Sequence, residues 1–565
     1  MSDEPESADI VQPVTAPGVV GRISATERDG TTSDKFSFWL GNDIIINPFD
    51  IVEVDQVSQQ PDRSSRTYGL VTTLEHRTDA PSHLANFISS NFGEVEEEPQ
   101  TLRQGTTVAH VNVLSNDEDI YMPVPNGQPT RFASAEGIER ALGIDQMKAA
   151  DRIAAGLIKM SNGASTVAYL DRRYLLGPDG AHMNISGISG LATKTSYAMF
   201  MLQAILQKAE EQGERDKFAV IILNVKQADL LQIDKRPDRD LPVAEMEKWE
   251  SLSLEPRPFG QVHYLLPRST RGDRPNSFFE PDGYTVYAYD LEGTADKLDL
   301  LFTDVYDPSG TMESMIGEVM QGIQAREADL RDVRSWQQLL NGPPLFANYQ
   351  PQPWRGHVRS SVGKFRRHLR RVVQTRQSGI FTDARAANEK LLADEMLRIR
   401  GGHVYVVDIA KLHDEEQTLV FGDMLRSIYE LKAEPPEDRR EPIPERIIFF
   451  VDELNKYAPK GERTSPITQQ VLEIAERGRS LGVILISAQQ FMSSVHPRVT
   501  GNAATRILGR AGSAEVFQPD YRFLDDDLKL NMTRLAQGEL IVSHNVYRQP
   551  VKVVFPMPAY KQEQF

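Results

Sequence analysis

The stretch Met183-Asn-Ile-Ser-Gly-Ile-Ser-Gly-Leu-Ala-Thr-Lys-Thr-Ser196 decides the fold of this chain. Its pattern predicts a short apolar strand, a glycine-containing loop and an amphipathic helix that continues through Tyr197–Lys208. Parts in this order can bind phosphate, because backbone N–H groups at the start of the helix hold phosphate oxygens. We expect Lys194 to reach the terminal phosphates of a nucleotide and the Thr195 hydroxyl to bind Mg²⁺.

The glycine spacing of this loop departs from the usual phosphate-binding pattern. G-x-x-x-x-G-K-[ST] would place glycines at positions 188 and 193, where this chain has Ile188 and Thr193. Counted from Gly187, the loop is one residue longer than the pattern. The alternative is a surface turn before an ordinary helix. The predicted nucleotide contacts are Gly187, Ser189, Gly190, Leu191, Ala192, Thr193, Lys194, Thr195 and Ser196.

Two carboxylates follow a second apolar run. The segment Arg446-Ile-Ile-Phe-Phe-Val-Asp-Glu453 is typical of a buried parallel strand, and ligands bind at the carboxyl ends of such strands. We expect Asp452 to hold Mg²⁺ through water, and Glu453 to orient or deprotonate the attacking water. The alternative is an acidic helix start. The catalytic interpretation is favoured because the pair occurs together with the Lys194-Thr195 loop.

A third apolar run, Val483–Ser487, is followed by the side-chain amides of Gln489 and Gln490. A polar group on the strand beside the acidic one can sense a terminal phosphate, so one of these glutamines is predicted to be a sensor. Arg477 and Arg479 precede the run and could supply an arginine that acts in a neighbouring subunit. The alternatives are a glutamine that caps the strand and arginines that lie on a solvated surface.

Together these segments resemble the HerA branch of the HerA/FtsK ATPases. The resemblance rests on Ile185–Ser196, Phe449–Glu453, Arg479-Ser-Leu-Gly-Val and Ser487-Ala-Gln-Gln490, and it covers the chain from about residue 170 to the end. The region up to about residue 160 also looks like that family's N-terminal barrel. The resemblance implies a hexameric ring that binds ATP and Mg²⁺, moves DNA through a central channel, and works with a nuclease or another effector.

The resemblance also implies roles for single residues. Lys194 and Thr195 match the P-loop, and Asp452 and Glu453 match the acidic strand end. One of the two glutamines matches the sensor, and Arg479 or Arg477 matches the arginine that acts on a neighbouring subunit's nucleotide. The loop spacing is the departure from the family's pattern.

The composition excludes several classes of protein. A chain of 565 residues is too long for one core, so two or three domains are expected. Without cysteine there are no disulfides or thiolate zinc sites, so a bound metal should be Mg²⁺ on oxygen ligands. No apolar run nears the ~20 residues of a membrane span, and the acidic start, Met1-Ser-Asp-Glu-Pro-Glu, lacks the features of a signal peptide. We therefore expect a cytoplasmic protein without membrane contact.

The charge balance bears on the expected DNA partner. A net charge of −17 argues against wrapping nucleic acid over the outer surface. It is compatible with duplex DNA in a channel lined by a few basic residues from each subunit.

The order of apolar runs and turns predicts an α/β protein with an N-terminal β-barrel and a largely helical insertion, and the resemblance implies that its core is a RecA-like P-loop ATPase. The leader spans residues 1–16, and the barrel spans 17–160, where short strands alternate with turn-rich pieces. Within that range Asp145–Ile158 is a candidate helix. The core spans 161–545, with the insertion at about 235–400, and a C-terminal strand and tail spans 546–565.

Two basic segments are candidates for DNA contact. Arg355–Arg376 carries many arginines, no acid and an apolar stripe at helical spacing. The loop Lys456–Arg463 follows the acidic strand and could project into a pore. The alternatives are a helix paired with acidic neighbours at a subunit interface and a loop that is merely polar.

Three functions remain open from the sequence. The first is a DNA-translocating motor paired with a nuclease or a sirtuin-like NADase in antiphage defence, as the resemblance suggests. The second is an ATP-binding scaffold that organises an effector with slow or absent turnover. The third is a conjugation-type coupling ATPase, which the lack of membrane segments disfavours.

Overall fold

The computed structural model of the chain describes residues 18–60, 62–96, 104–188, 193–270, 274–303, 305, 307, 309–327, 329–341, 354–375, 378–461 and 465–562. Within these ranges, no helix combines the length and the apolar composition that a membrane crossing requires. The predicted leader lies outside the described residues, as do Ser189, Gly190, Leu191 and Ala192 of the predicted nucleotide loop.

The structure contains a barrel and a large sheet with helices on its faces. The strands are β1 (Val19–Ile23), β2 (Lys35–Leu40), β3 (Ile51–Val57), β4 (Ser64–Thr78), β5 (Gly105–Asn116), β6 (Pro129–Phe132), β7 (Arg152–Lys159), β8 (Ser165–Asp171), β9 (Met183–Ser186), β10 (Phe218–Asn224), β11 (Val262–Pro267), β12 (Thr285–Tyr287), β13 (Glu389–Lys390), β14 (Val404–Asp408), β15 (Arg446–Asp452), β16 (Val483–Gln489), β17 (Thr505–Leu508), β18 (Glu539–His544) and β19 (Val551–Val554).

The α-helices are α1 (His83–Ser89), α2 (Ala135–Leu142), α3 (Arg172–Leu175), α4 (Thr193–Glu211), α5 (Val243–Ser251), α6 (Leu291–Thr294), α7 (Thr311–Gln324), α8 (Trp336–Asn341), α9 (Arg359–Arg370), α10 (Leu392–Met396), α11 (Asp414–Ala433), α12 (Pro466–Leu481), α13 (Pro497–Asn502), α14 (Ser513–Val516) and α15 (Asp526–Met532).

The N-terminal strands close into a barrel, as the sequence predicts. The strand order is β1-β2-β5-β4-β3-β6, and every pair in it is antiparallel. Alternate residues fill the interior, with Phe36 and Phe38 of β2 buried. Gly69 permits the close packing, because a Cβ there would lie 2.3 Å from Cγ1 of Val111. Among the described strands of this domain, closure leaves no open sheet edge.

The boundary of the barrel differs from the predicted one near residue 160. The candidate helix Asp145–Ile158 is wrong, because short 3₁₀ turns lead there into β7. Strand β7 pairs with β8 and β19 in the large sheet, so the barrel ends with β6. Leu157 and Ile158, which are in regular register with β8, are both buried, on opposite faces of the strand. A strand that is buried on both faces lacks the alternation that distinguishes it from a helix.

The large sheet has thirteen strands in the order β13-β12-β11-β14-β10-β15-β16-β9-β17-β18-β19-β7-β8. The strands from β13 to β17 are parallel to their neighbours, and the remaining pairs are antiparallel. The predicted α/β fold is therefore confirmed. One strand, β16, separates the loop-bearing strand β9 from the acidic strand β15, which is the RecA-like arrangement.

Helices cover both faces of this sheet. Tyr197 and Phe200 of α4 belong to one buried cluster, together with Phe450 of β15. Leu419 of α11 belongs to the other cluster, together with Phe449 of the same strand. Successive residues of a strand point to opposite faces. The core strands lack an alternation of apolar and polar residues in the sequence because both faces of each strand are buried.

The predicted insertion also extends the sheet. Strands β11, β12 and β13 lie within it and continue the parallel order beyond β14. Its middle is helical, in α7, α8 and α9. The insertion is thus part of one continuous sheet, and its helices pack on the face that carries α11.

Candidate nucleotide-binding site

Three strand ends meet at one edge of the parallel sheet. In the register of the sheet, Asp452 of β15 lies opposite Ala488 of β16, and Gln489 lies opposite Ser186 of β9. The residues that follow these strands therefore share the carboxyl edge, where ligands of parallel sheets bind. The structure brings Gly187 at the start of the predicted loop, the acidic pair and the two glutamines to the same edge.

The start of the nucleotide loop is held between two strands. The Gly187 N–H donates to the Gln490 carbonyl at 3.2 Å, and the Ile188 N–H donates to the Arg510 carbonyl at 2.8 Å. A Cβ on Gly187 would lie 3.0 Å from the Cα of Gly509. The close packing against Gly509 therefore favours glycine at this position, independently of any ligand of the loop.

Lys194 lies in the first turn of α4 with its side chain buried. Its Nζ donates to the Gly187 carbonyl at 2.9 Å. Burial lowers the pKa of Lys194, the Asp452 and Glu453 carboxylates oppose that shift, and Lys226 adds to it. The two carboxylates are therefore within electrostatic reach of the ammonium. Thr195 beside it is half-buried.

The acidic pair is bound by a lysine from the neighbouring strand. Lys226 follows β10, and its Nζ lies 2.8 Å from Oδ2 of Asp452 and 3.0 Å from Oε1 of Glu453. Burial acts to lower the pKa of Lys226, but the two carboxylates raise it on balance. Glu453 adopts a left-handed φ of 54°. For a residue other than glycine this conformation is uncommon, and such outliers cluster at functional sites.

The sequence analysis missed Lys226. Its position just after an apolar strand was visible, but nothing in the chain indicated that β10 would lie directly beside β15. That neighbour relation comes from the crossovers of the sheet, which a single sequence does not display. Lys226 is also in reach of Lys194, whose pKa it lowers.

Gln489 and Gln490 occupy different environments. Gln489 is completely buried, and its Nε2 donates to Oδ1 of Asn184 at 2.8 Å while its Oε1 accepts from Nδ2 of Asn184 at 3.2 Å. Asp452 shares a sheet face with Ala488, so Gln489 points to the opposite face. Gln490 follows the strand and is half-buried. Gln490 is thus the better-placed of the two predicted sensors.

Arg477 and Arg479 lie at the opposite edge of the sheet. Both are near the carboxyl end of α12, just before β16 begins. Arg479 donates from Nη1 to the Asp179 carbonyl at 3.1 Å, and Arg477 pairs with Glu473 at 3.5 Å. The structure does not bring them to Lys194 of the same chain. A role on the nucleotide of a neighbouring subunit stays a prediction.

The residues at the carboxyl edge fit a magnesium nucleotide. Thr195 and Asp452 offer the oxygen ligands that Mg²⁺ prefers, and the 19-residue α4 presents its N-terminus to the loop. Among the described residues there is no cluster of three or more histidine, aspartate or glutamate side chains suited to hold a metal alone. A Mg²⁺ ion here would need phosphate oxygens and water as further ligands, which is how proteins commonly bind it.

The basic segments are partly neutralised within the chain. In the segment that contains α9, Arg355 pairs with Glu327 and Asp329, and Arg371 pairs with Glu415 at 3.1 Å. Lys456 of the predicted pore loop bonds to Gln417 at 2.6 Å and also to Asp414. These side chains are therefore paired with acids of the same chain, and contact of the two segments with DNA stays a prediction. Two basic residues on the outer face of α9, Lys364 and Arg367, are exposed.

Comparisons with known proteins give remote structural similarities. No protein-family model matches the chain, and no curated protein matches it significantly. The bacterial conjugative coupling protein TrwB, lacking its first 70 residues, is 11% identical, with 77% of this chain and 94% of that chain covered and a TM-score of 0.43. TrwB in complex with ADP and Mg²⁺ is 11% identical, with 68% and 86% covered and a TM-score of 0.38.

The genome-packaging NTPase B204 from Sulfolobus turreted icosahedral virus 2 is also similar. It is 14% identical, with 30% of this chain and 73% of that chain covered and a TM-score of 0.22. With TM-scores below 0.5, these similarities do not define the fold. The strand order and the residues at the carboxyl edge define it.

Proposed function

We propose that this chain is an ATP hydrolase of the HerA/FtsK type that assembles into a ring and moves DNA. One observation carries the proposal: Lys194, bonded to the Gly187 carbonyl just after β9, and the pair Asp452 and Glu453 at the end of β15 lie at the same carboxyl edge of one parallel sheet. Lys194 and the acidic pair come from segments more than 250 residues apart in sequence. A surface turn and an acidic helix start would have no reason to meet there.

Each residue has a task in this proposal. Lys194 leaves the Gly187 carbonyl and binds the terminal phosphates, while the N–H groups at the start of α4 hold their oxygens. Thr195 and Asp452 hold Mg²⁺, which would neutralise charge on the transferred phosphoryl group. Glu453 orients the attacking water and accepts its proton, and Gln490 contacts the terminal phosphate.

The ring and its partners rest on the resemblance to the HerA branch. We propose a hexamer with duplex DNA in its channel and Arg479 or Arg477 acting on the nucleotide of the next subunit. The exposed Lys364 and Arg367 of α9 are the proposed phosphate contacts in an otherwise acidic chain. The proposed effector is a nuclease or a sirtuin-like NADase, in a system of antiphage defence.

Steady-state ATP hydrolysis tests the proposal, with and without duplex DNA. Lys194→Ala and Glu453→Gln should each abolish hydrolysis that DNA stimulates in the wild-type protein. Lys208→Ala, in the last turns of the same helix, and Glu430→Gln, an exposed residue near the carboxyl end of α11, are matched controls because both lie away from the carboxyl edge of the sheet. Wild-type rates in the Lys194 or Glu453 variant would contradict the assignment of the site.

A second candidate function is an ATP-binding scaffold that organises an effector. The contacts of Lys226 with both carboxylates favour it, because they engage the groups that hydrolysis needs. The longer loop favours it as well. Glu453→Gln separates the two functions, since a motor should lose its activity, whereas a scaffold should still assemble and support its partner. ATP binding that Lys194→Ala removes, without any turnover, would establish the scaffold.

A further inference from the structure

We propose that Lys226 is a positioning residue that controls access of a magnesium ion to Asp452. Its ammonium lies beside both carboxylates, and it must withdraw before the metal can bind. The inference rests on the proposed function in one respect, since it takes Asp452 as the residue that holds the metal of a bound nucleotide.

Asp452 has both carboxylate oxygens engaged. Its Oδ2 accepts from Nζ of Lys226 at 2.8 Å, and its Oδ1 accepts from the Glu453 N–H at 2.9 Å. The Asp452 side chain is only 4% exposed, whereas that of Lys226 is 43% exposed. Asp452 is therefore fixed in the sheet edge, and Lys226 is the partner with room to move.

A metal ion and the ammonium compete for the same carboxylates. Mg²⁺ binds carboxylate oxygens directly or through its water shell, and two cations at such short range repel each other strongly where water is scarce. Lysine is a compact charge on a long stem with many rotamers, so it can swing away without moving the backbone. Metal binding and Lys226 contact should therefore exclude each other.

The backbone that carries Lys226 is fixed from the other side. Asn224 donates from Nδ2 to the Gln227 carbonyl and to Oδ1 of Asp408, each at 2.8 Å. Asp408 is completely buried and also accepts from the Ser277 hydroxyl at 2.6 Å. Gln227 has a positive φ of 39°. These bonds hold the backbone of Lys226 beside the acidic pair. A change in the position of its ammonium therefore requires movement of the side chain alone.

The arrangement has a functional consequence. While Lys226 contacts Glu453, that carboxylate is engaged with a cation instead of a water molecule. A metal ion bound at Asp452 would displace the ammonium and leave the Glu453 carboxylate to contact water. The ion pair therefore opposes both metal binding at Asp452 and activation of water by Glu453.

A titration of the nucleotide-free protein with Mn²⁺, followed by electron paramagnetic resonance, tests the inference. Lys226→Met keeps the length of the side chain and removes its charge. It should bind Mn²⁺ about tenfold more tightly than wild type, the size expected for removing a partly buried ion pair. Lys226→Arg keeps the charge and should leave the affinity close to that of wild type.

The control for weak sites elsewhere on this acidic chain is the double variant Lys226→Met/Asp452→Asn, which should lose the gain. Circular dichroism spectra identical to that of wild type establish that the variants are folded. Unchanged or weaker Mn²⁺ binding by Lys226→Met would overturn the inference, as would an equal gain in Lys226→Arg.

The titration uses no nucleotide, so it is separate from the test of the proposed function. Absent ATP hydrolysis together with tighter Mn²⁺ binding by Lys226→Met would reject the motor and keep this inference. DNA-stimulated hydrolysis together with unchanged Mn²⁺ binding would keep the motor and reject Lys226 as the residue that controls the metal.

Discussion

Replacing Gln489 by alanine should weaken the central sheet, whereas replacing Gln490 should impair hydrolysis. Gln489 forms two hydrogen bonds with Asn184 across neighbouring strands, and Asn184 donates a further one to Ser487 at 2.9 Å. All of these side chains are buried. Such a pair joins the loop-bearing strand to the strand beside it.

The size of the effect follows from the environment of Asn184. In Gln489→Ala the Oδ1 of Asn184 loses its donor at 2.8 Å in a site without solvent access. A buried acceptor without a partner costs about 1–3 kcal/mol, and the cavity left by the shorter side chain adds about 1 kcal/mol. The free energy of unfolding should fall by about 3 kcal/mol, which lowers Tm by roughly 5 °C in a domain of this size.

Thermal unfolding and ATP hydrolysis at low temperature measure the two effects separately. Gln490→Ala should keep Tm within about 1 °C, because it leaves the buried pair intact, and it should lose hydrolysis. In a double-mutant cycle with Asn184→Ala, the combined loss of stability should be smaller than the sum. A Gln489→Ala protein with the Tm of wild type and no hydrolysis would refute this reasoning and make Gln489 the sensor.

Three further predictions follow from other parts of the chain. Arg479→Ala and Glu453→Gln proteins, each inactive alone, should recover ATP hydrolysis when mixed, since one would supply the arginine and the other the carboxylate; no recovery would contradict a role between subunits. Lys364→Ala/Arg367→Ala should lower DNA affinity and reduce the slope of log affinity against log salt by about 1.8 for duplex DNA, measured by fluorescence anisotropy; an unchanged slope would exclude these contacts. Burial lowers the pKa of His544 to about 4, so that on acidification the unfolded chain, in which the histidine pKa is near 6.5, takes up a proton before the folded chain does. As the pH falls below about 6.5, the free energy of unfolding should therefore decrease, by about 2 kcal/mol at pH 5. Denaturant titrations of wild type and His544→Gln at several pH values would show whether this pH dependence of stability comes from His544.

The candidate site residues could be predicted from the sequence because each strand of the core is a short apolar run that ends in polar residues. Lys194, Asp452 and Gln490 were all identified from that pattern, and the structure places them at one sheet edge. The N-terminal barrel was also predicted, from short strands separated by turns. These features depend on local pattern, which a single sequence contains.

The features that the sequence did not predict are those determined by tertiary contacts: which strands are neighbours, which faces are buried, and the register between strands. The pattern of Asp145–Ile158 predicts a helix where β7 lies, because burial on both faces removes the alternation of apolar and polar residues. Lys226 escaped notice because the strand it follows is adjacent to β15 only through the crossover topology. Gln489 and Gln490 were equivalent in the sequence, and only the register with Asn184 separates a buried sheet contact from a residue at the edge.

The position of β19 has a consequence for how the chain is made. This strand lies between β18 and β7, although β7 ends at Lys159 and β19 begins at Val551. During synthesis the β7–β8 hairpin emerges early and must wait with one edge open, and an open edge invites pairing with other chains. Release from the ribosome with β19 unavailable would leave β18 open as well. We expect nascent chains stopped before residue 551 to depend on chaperones far more than the completed protein does.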